Sequence, residues 1–313
     1  MGIKYTVPVS WFTSARSVMN RYLEKMGYSE EDRVLITHID DIGFCHGSNV
    51  AAFECLDAGA ASCGSVIVNA PWFLETAAIC RENPDYDMGV HLTLTCEYDR
   101  YRWPALSSVD SRTGLLDHEG YLWRTSREAV KNVTEAAAEA EMRAQIEKAL
   151  EHGIDVTHID THMGTVVHPK FIVSYLKLAE EFAVPAFLPN ITRERIVELQ
   201  GPDFAQEYVE ILARVDAGKV PTLDEIITQT LIQVDDKFKF YCELIEGLKP
   251  GLSHLLFHAA KNGEELTAIT ADSCAARNQD YEVFSSTGMK EFIDSSGVHL
   301  IGYRQLREYL HRD

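Results

Sequence analysis

Several absences narrow the chain's class before any residue is singled out. No stretch of about 18 apolar residues is available to span a bilayer, and no apolar leader core follows the N-terminus. The seven cysteines (Cys45, Cys55, Cys63, Cys80, Cys96, Cys242 and Cys274) are odd in number and contain no C-x-x-C pair. They are expected to be free thiols packing as small hydrophobes in a cytoplasmic protein. Positive charge is scarce: 29 Lys and Arg face 48 Asp and Glu, a formal net charge of -19. Nucleic acid and anionic membrane surfaces would therefore be repelled. Also missing are the G-x-G-x-x-G and Walker loops of nucleotide-binding sheets and the G-x-S-x-G elbow of serine hydrolases.

What is present is a regular alternation of strand and helix patterns from Val34 onward. The run Val34-Leu35-Ile36-Thr37-His38-Ile39 reads as a buried strand, with Asp40-Asp41-Ile42-Gly43 as the loop leaving it. Ser48-Asn49 can cap a helix through Ala58, closed by Gly59. Further strands are expected at 64–69, 88–95, 156–161, 184–188, 252–257 and 298–301. Helices are expected at 71–83, 127–152, 170–182, 289–295 and 304–310, with 194–248 mostly helical and broken near Pro221. Such alternation requires a parallel sheet covered by helices: α/β, a deformed (β/α) barrel of about seven parallel strands. One domain is expected over 1–313, with an N-terminal extension, 1–33, that contains a helix at 14–26. Residues 96–124 break the rhythm and are rich in Tyr and Trp; such an insertion either stacks on sugar rings or packs as a small subdomain.

A (β/α) barrel gathers its chemistry at the C-terminal ends of its strands. The ionisable groups expected there are Asp40, Asp41, His91, His158, Asp160, His162 and His258. Taken singly, each has an ordinary explanation: aspartates solvate turns, and a lone histidine is more often a packed or loop residue than a ligand. Their recurrence at strand ends is harder to dismiss. One carboxylate and two imidazoles suit a divalent first-row metal and leave a position open for water. The metal would lower the pKa of that water towards about 7. A second aspartate could then accept its proton, and another histidine could protonate a leaving group. This inventory suits metal-assisted hydrolysis of an amide or ester. A nucleophilic Cys45 is the minor alternative.

Three segments also carry a family resemblance. His38-Ile39-Asp40-Asp41-Ile42-Gly43, with Asn49 following, resembles the Asn-Ala-Asp-Asp-Phe-Gly signature of the YdjC-like carbohydrate deacetylases, which include chitooligosaccharide and hopanoid-associated deacetylases. Gly89-Val90-His91-Leu92-Thr93-Leu94-Thr95 resembles the family's Gly-x-His-Leu-Thr-Leu-Thr strand, and Thr157-His158-Ile159-Asp160-Thr161-His162 its Thr-His-x-Asp-Ser-His element. The resemblance runs from about Val34 to Leu310. It implies that Asp41, His91 and His162 hold a divalent metal, that Asp40 is the general base and that His258 is the general acid. Arg277 and Asp280 fall where the family tends to have an arginine followed by an acid. His38-Ile39, Ile42, the Met163-Gly164 that follows His162, and Ala259-Ala260 depart from the family pattern and mark a divergent branch; His168 receives no role.

The implied activity is removal of an acetyl group from an N-acetylated sugar, by attack of water held at one divalent ion. Zinc or magnesium is the expected ion, with manganese also compatible. The alternatives are a phosphoesterase-like metal hydrolase on the same scaffold and a non-catalytic sugar-binding protein. The expected partner is a small carbohydrate, without nucleic acid or membrane; homo-oligomerisation is left open.

Overall fold

The computed structural model describes residues 12–13, 20–190, 193–200, 205–206, 208–210, 221–228 and 230–310. Among them the strands are β1 (Phe12–Thr13), β2 (Arg33–Ile42), β3 (Cys63–Val66), β4 (Met88–Leu92), β5 (Val156–Thr161), β6 (Glu225–Ile227), β7 (Gly251–Phe257) and β8 (His299–Leu300). Their order is β1-β6-β7-β2-β3-β4-β5, with β8 beside the start of β2. Every pairing is parallel except that of β1 with β6. The segment 185–190 lies between β5 and the residues leading into β6. Phe187 N–H donates to Ile159 O at 2.9 Å on one side, and Leu223 N–H to Leu188 O at 2.9 Å on the other. Thus β2, β3, β4, β5, the 185–190 segment, β6 and β7 follow one another around a parallel α/β barrel.

β2 is central to this ring and is buried from Val34 to Ile42. Side chains alternate between the faces of a strand. Leu35 and Ile39 join the larger core, which also takes in the covering helices. Val34 and Ile36 instead meet Phe187, Leu223, Leu252 and Tyr303, residues drawn from around the ring. That smaller cluster fills the N-terminal end of the barrel interior. His38 and Asp40 continue the same face of β2 towards its C-terminal end.

Several elements differ from the sequence expectation. The helix expected over 127–152 is two helices, Ser126–Asn132 and Glu135–Glu151, because the Thr134 side chain accepts from Ala137 N–H and starts the second. The Cys45 side chain, not Ser48-Asn49, caps the helix His46–Ala58, and Ser48 reciprocates from its third position. In the stretch read as mostly helical, β6 lies between the helices Arg193–Gln200 and Lys237–Glu246. The strand expected at 184–188 is paired only by isolated bridges. The helix Cys274–Phe284, which carries Arg277 and Asp280, was not anticipated. Of the helix expected at 14–26, residues 14–19 lie outside the described residues; Asn20 caps a short helix, Arg21–Lys25.

The aromatic insertion is packed. Trp103 is buried and donates its Nε1–H to Thr95 O, and the Tyr101 hydroxyl donates to Phe44 O. Glu141, wholly buried in the helix Glu135–Glu151, accepts the backbone N–H groups of Leu106 and Ser107 and so ties the insertion to the barrel's outer layer.

Candidate active site

The two adjacent carboxylates lie inside β2 and not in a loop beyond it, because the strand continues to Ile42. Regular alternation would send neighbouring side chains to opposite faces. Here the register with β3 slips between Ile39 and Ile42, and Asp41 adopts φ 62. That left-handed backbone costs about 1–2 kcal/mol in a residue with a Cβ. The irregularity turns both carboxylates to one side: Asp40 Oδ2 lies 3.9 Å and Asp41 Oδ1 3.4 Å from the same His91 Nε2. Asn49 fixes the following turn, accepting Gly43 N–H at 2.7 Å and donating to Trp72 O and Glu75. Gly43 itself has φ 85, and a Cβ there would meet Val66 at 2.9 Å.

Asp41, His91 and His162 converge. His91 comes from the middle of the β4 C-terminal half; His162 begins a short 3-10 turn just past β5. Asp41 Oδ1 lies 3.3 Å from His162 Nδ1, and the three candidate ligand atoms all fall within 4.8 Å of one another. The far nitrogens of both rings are occupied. His91 Nδ1 lies 2.9 Å from Asp160 Oδ2, which also accepts the Ser65 hydroxyl at 2.8 Å. His162 Nε2 lies 2.9 Å from Glu97 Oε2. These outer carboxylates set the ring orientations, as expected for imidazoles that ligate a metal. Asp41 Oδ1 is buried without a hydrogen-bond partner. An orphaned buried carboxylate oxygen between two oriented imidazoles fits a divalent cation, and the donor set could hold one.

The charges around this centre are strongly coupled. Burial opposes ionisation of Asp41, but Arg277, with His162 and His91, holds its carboxyl well below the usual range. Burial likewise opposes Asp40, and the imidazoles of His91, His38 and His258 outweigh it, bringing it to about 2. For His162, burial is overcome by Glu97 and Asp41, and its pKa rises to about 9. His91 is held well above its ordinary value, since Asp160 and Asp40 outweigh its burial. Both imidazoles therefore carry protons that a bound cation would displace. His258 shifts the other way, pushed down by burial.

Residues 34–295 match the family model described as YdjC-like protein. The chain belongs to the YdjC-like family. It is 33% identical over 280 residues to a carbohydrate deacetylase of Listeria monocytogenes, covering 87% of this chain and 99% of that one. It is 29% identical over 292 residues to a carbohydrate deacetylase of Thermus thermophilus, covering 92% and 98%. In fold it is similar to the crystal structure of a candidate cellobiose-phosphate cleavage protein from Enterococcus faecalis. There the TM-score is 0.71 at 24% identity, with 88% of this chain and 99% of that chain covered.

In this YdjC-like chain the remaining expected residues surround Asp40 and Asp41. His258 Nε2 lies 3.9 Å from Asp40 Oδ2, and the His258 backbone N–H donates to Asp280 Oδ2. Asp280 also accepts the Tyr241 hydroxyl and pairs with Lys237. Arg277 reaches Asp41 Oδ2 at 2.9 Å. His168 is elsewhere: it caps the helix Pro169–Glu181 by accepting Lys170 N–H. Cys45 is buried, and burial pushes its thiol up, which leaves it unsuited to act as a nucleophile. Sequence reasoning missed Glu97, Ser65 and the place of His38. A signal for the first two existed, since a ligating imidazole needs a partner for its second nitrogen.

Proposed function

We propose that the chain is a metal-dependent carbohydrate deacetylase, a hydrolase that cleaves the acetyl amide of an N-acetylated sugar. Family membership and the deacetylase relatives support this reading. The observation that carries it is the convergence of Asp41 Oδ1, His91 Nε2 and His162 Nδ1 on one buried, unsatisfied position. In this reading those three side chains hold one divalent ion. When bound, the ion supplies Lewis acidity, polarising water and the acyl carbonyl. Two imidazoles and one carboxylate favour zinc, with manganese next and magnesium last, since magnesium prefers oxygen ligands.

The chain's own residues carry the protons. Asp40 is kept ionised by the imidazoles around it and offers Oδ2 towards the centre, and in this reading it takes the proton of the attacking water. His258 Nε2 lies 3.9 Å from that oxygen. In this reading its imidazolium would protonate the departing sugar amine, and burial, which lowers its pKa, would confine that role to the lower part of the pH range. The sugar is a small neutral carbohydrate, and a phosphate ester is disfavoured. Arg277, the arginine at the centre, is paired with Asp41, and further out Arg102 is committed to Asp117 and Glu119, and Arg124 to Asp99. The span 1–313 is read as one domain of a cytoplasmic enzyme, in keeping with its unpaired cysteines. Among the described residues no helix is long and apolar enough to cross a membrane.

The test is acetate release from N-acetylglucosamine and its short oligomers by the purified protein, before and after chelation. Activity should vanish on chelation and return with zinc or manganese. Phosphate release from sugar phosphates, with no acetate from any N-acetyl sugar, would replace this reading with the phosphoesterase alternative.

A further inference from the structure

One side chain against Asp40 is left unused by the proposed chemistry. His38 is wholly buried on the same face of β2, and its Nδ1 lies 2.7 Å from Asp40 Oδ1. Its Nε2 lies 2.8 Å from Nε2 of His158, a wholly buried residue of β5. His158 Nδ1 in turn lies 2.9 Å from Thr157 Oγ1, which also bonds Asp87 Oδ1. Asp87 sits one residue before β4, at the N-terminal end of the barrel, and its Oδ2 accepts Arg304 N–H at 2.7 Å. A continuous line of hydrogen bonds therefore runs from the candidate base to the N-terminal end of β4.

The line is rigid at its middle. The His158 ring stacks on Tyr303, with centroids 4.0 Å apart and planes 16° from parallel. The ring is also close against Gly89, where a Cβ would lie 2.5 Å from it. These contacts hold the His158 ring in place. His38 is thereby fixed at Nε2, and its Nδ1–H is aimed at Asp40.

The consequence is asymmetry between the two oxygens of Asp40. Oδ1 is anchored, whereas Oδ2 faces His91 and His258 at 3.9 Å each. The terminal torsion of an aspartate is soft and nearly two-fold, so a carboxylate without an anchor samples both faces. Beside a cation it would also be drawn on to the metal and lost as a base. We propose that His38, held by His158, is the positioning residue of the site: its Nδ1–H anchors Asp40 Oδ1 and so presents Oδ2 alone to the reacting water. This rests on the reading of Asp40 as the general base.

His38→Leu removes the anchor. Its kcat on an N-acetylated sugar should fall by roughly a hundredfold, the scale of a small misplacement of a reacting group, with KM and bound metal unchanged. His38→Asn places an amide N–H near the lost Nδ1–H and should recover most of the rate. His158→Leu should lower kcat in the wild-type background and have little further effect beside His38→Asn, where no imidazole needs holding. His254→Leu is the packing control. His254 packs at a tilt against His38 and bonds Tyr303 and not Asp40, so its loss should cost far less kcat than His38→Leu. Nitrogen-15 histidine spectra give a readout independent of turnover: a slowly exchanging His38 Nδ1–H that Asp40→Ala abolishes. The proposal is overturned by an unchanged kcat in His38→Leu, by His38→Asn failing as badly as His38→Leu, by loss of metal in His38→Leu, or by absence of that resonance. If the resonance is present and no N-acetyl sugar yields acetate, the anchor stands and the deacetylase reading fails.

Discussion

Arg277 Nη2 lies 2.9 Å from Asp41 Oδ2, while Asp41 Oδ1 faces the nitrogens of His91 and His162. One buried carboxylate is thus shared between a permanent cation of the protein and the position where a metal would sit. Arg277→Met leaves that carboxylate half-compensated. Breaking a buried pair by removing one partner costs about 3–5 kcal/mol. The urea midpoint of metal-free Arg277→Met should drop accordingly and recover in part when zinc is added. A midpoint equal to wild type would show that the pair is not coupled to stability.

Asp40 and Asp41 should separate cleanly on mutation. Asp41→Asn should purify with little metal. Asp40→Asn should keep its metal and lose about 10²–10⁴ in kcat, the range for a general base. Metal analysis of both proteins, alongside acetate assays, checks this, and the opposite pattern would mean that the two roles are exchanged.

His162 sets a pH signature for the chelated protein. Its folded pKa of about 9 exceeds the free value of about 6.5, so the stability gained from Glu97 and Asp41 is fully present below that free value. It is lost as pH rises through about 9. The thermal midpoint of the chelated protein should therefore decline across that window, and Glu97→Gln should flatten the decline. Calorimetry at stepped pH measures it; a wild-type midpoint that stays constant up to pH 10, about a unit beyond His162, would refute the coupling.

Much of this was legible in the sequence where periodicity was strong. The period-two pattern and strand ends around Val34, Gly89 and Thr157 located Asp40, Asp41, His91 and His162, and the structure brings them together. What stayed hidden had weaker local signals. β6 is only three residues long, too short for either period to register. The break between the helices at 126–151 is marked only by Thr134, whose capping role needs the backbone to be seen. Glu97 comes from the aperiodic insertion, and the anchoring of Asp40 by His38 depends on a contact with His158, 120 residues away.

Glu141 offers a stability test remote from the chemistry. It accepts from Asn69, Leu106, Ser107 and Gln145 while wholly buried. Each donor left unpaired costs about 1–3 kcal/mol. Glu141→Ala should lower the melting temperature and expose 96–124 to limited proteolysis. An unaltered cleavage pattern would mean that the aromatic packing alone holds the insertion.

The ring of strands is unevenly fastened. β2 and β7 pair without interruption from Arg33 to Ile39, whereas 185–190 is held by single bridges on each side. A hoop with one soft seam works like a spring clip, changing diameter at the seam while the opposite wall stays stiff. Asp41 stands on the stiff wall, and His162 follows the strand that borders the seam. A cation gripped by both would act as a rivet across the clip, so metal loading should slow amide exchange most at 185–190, well away from the ligands themselves.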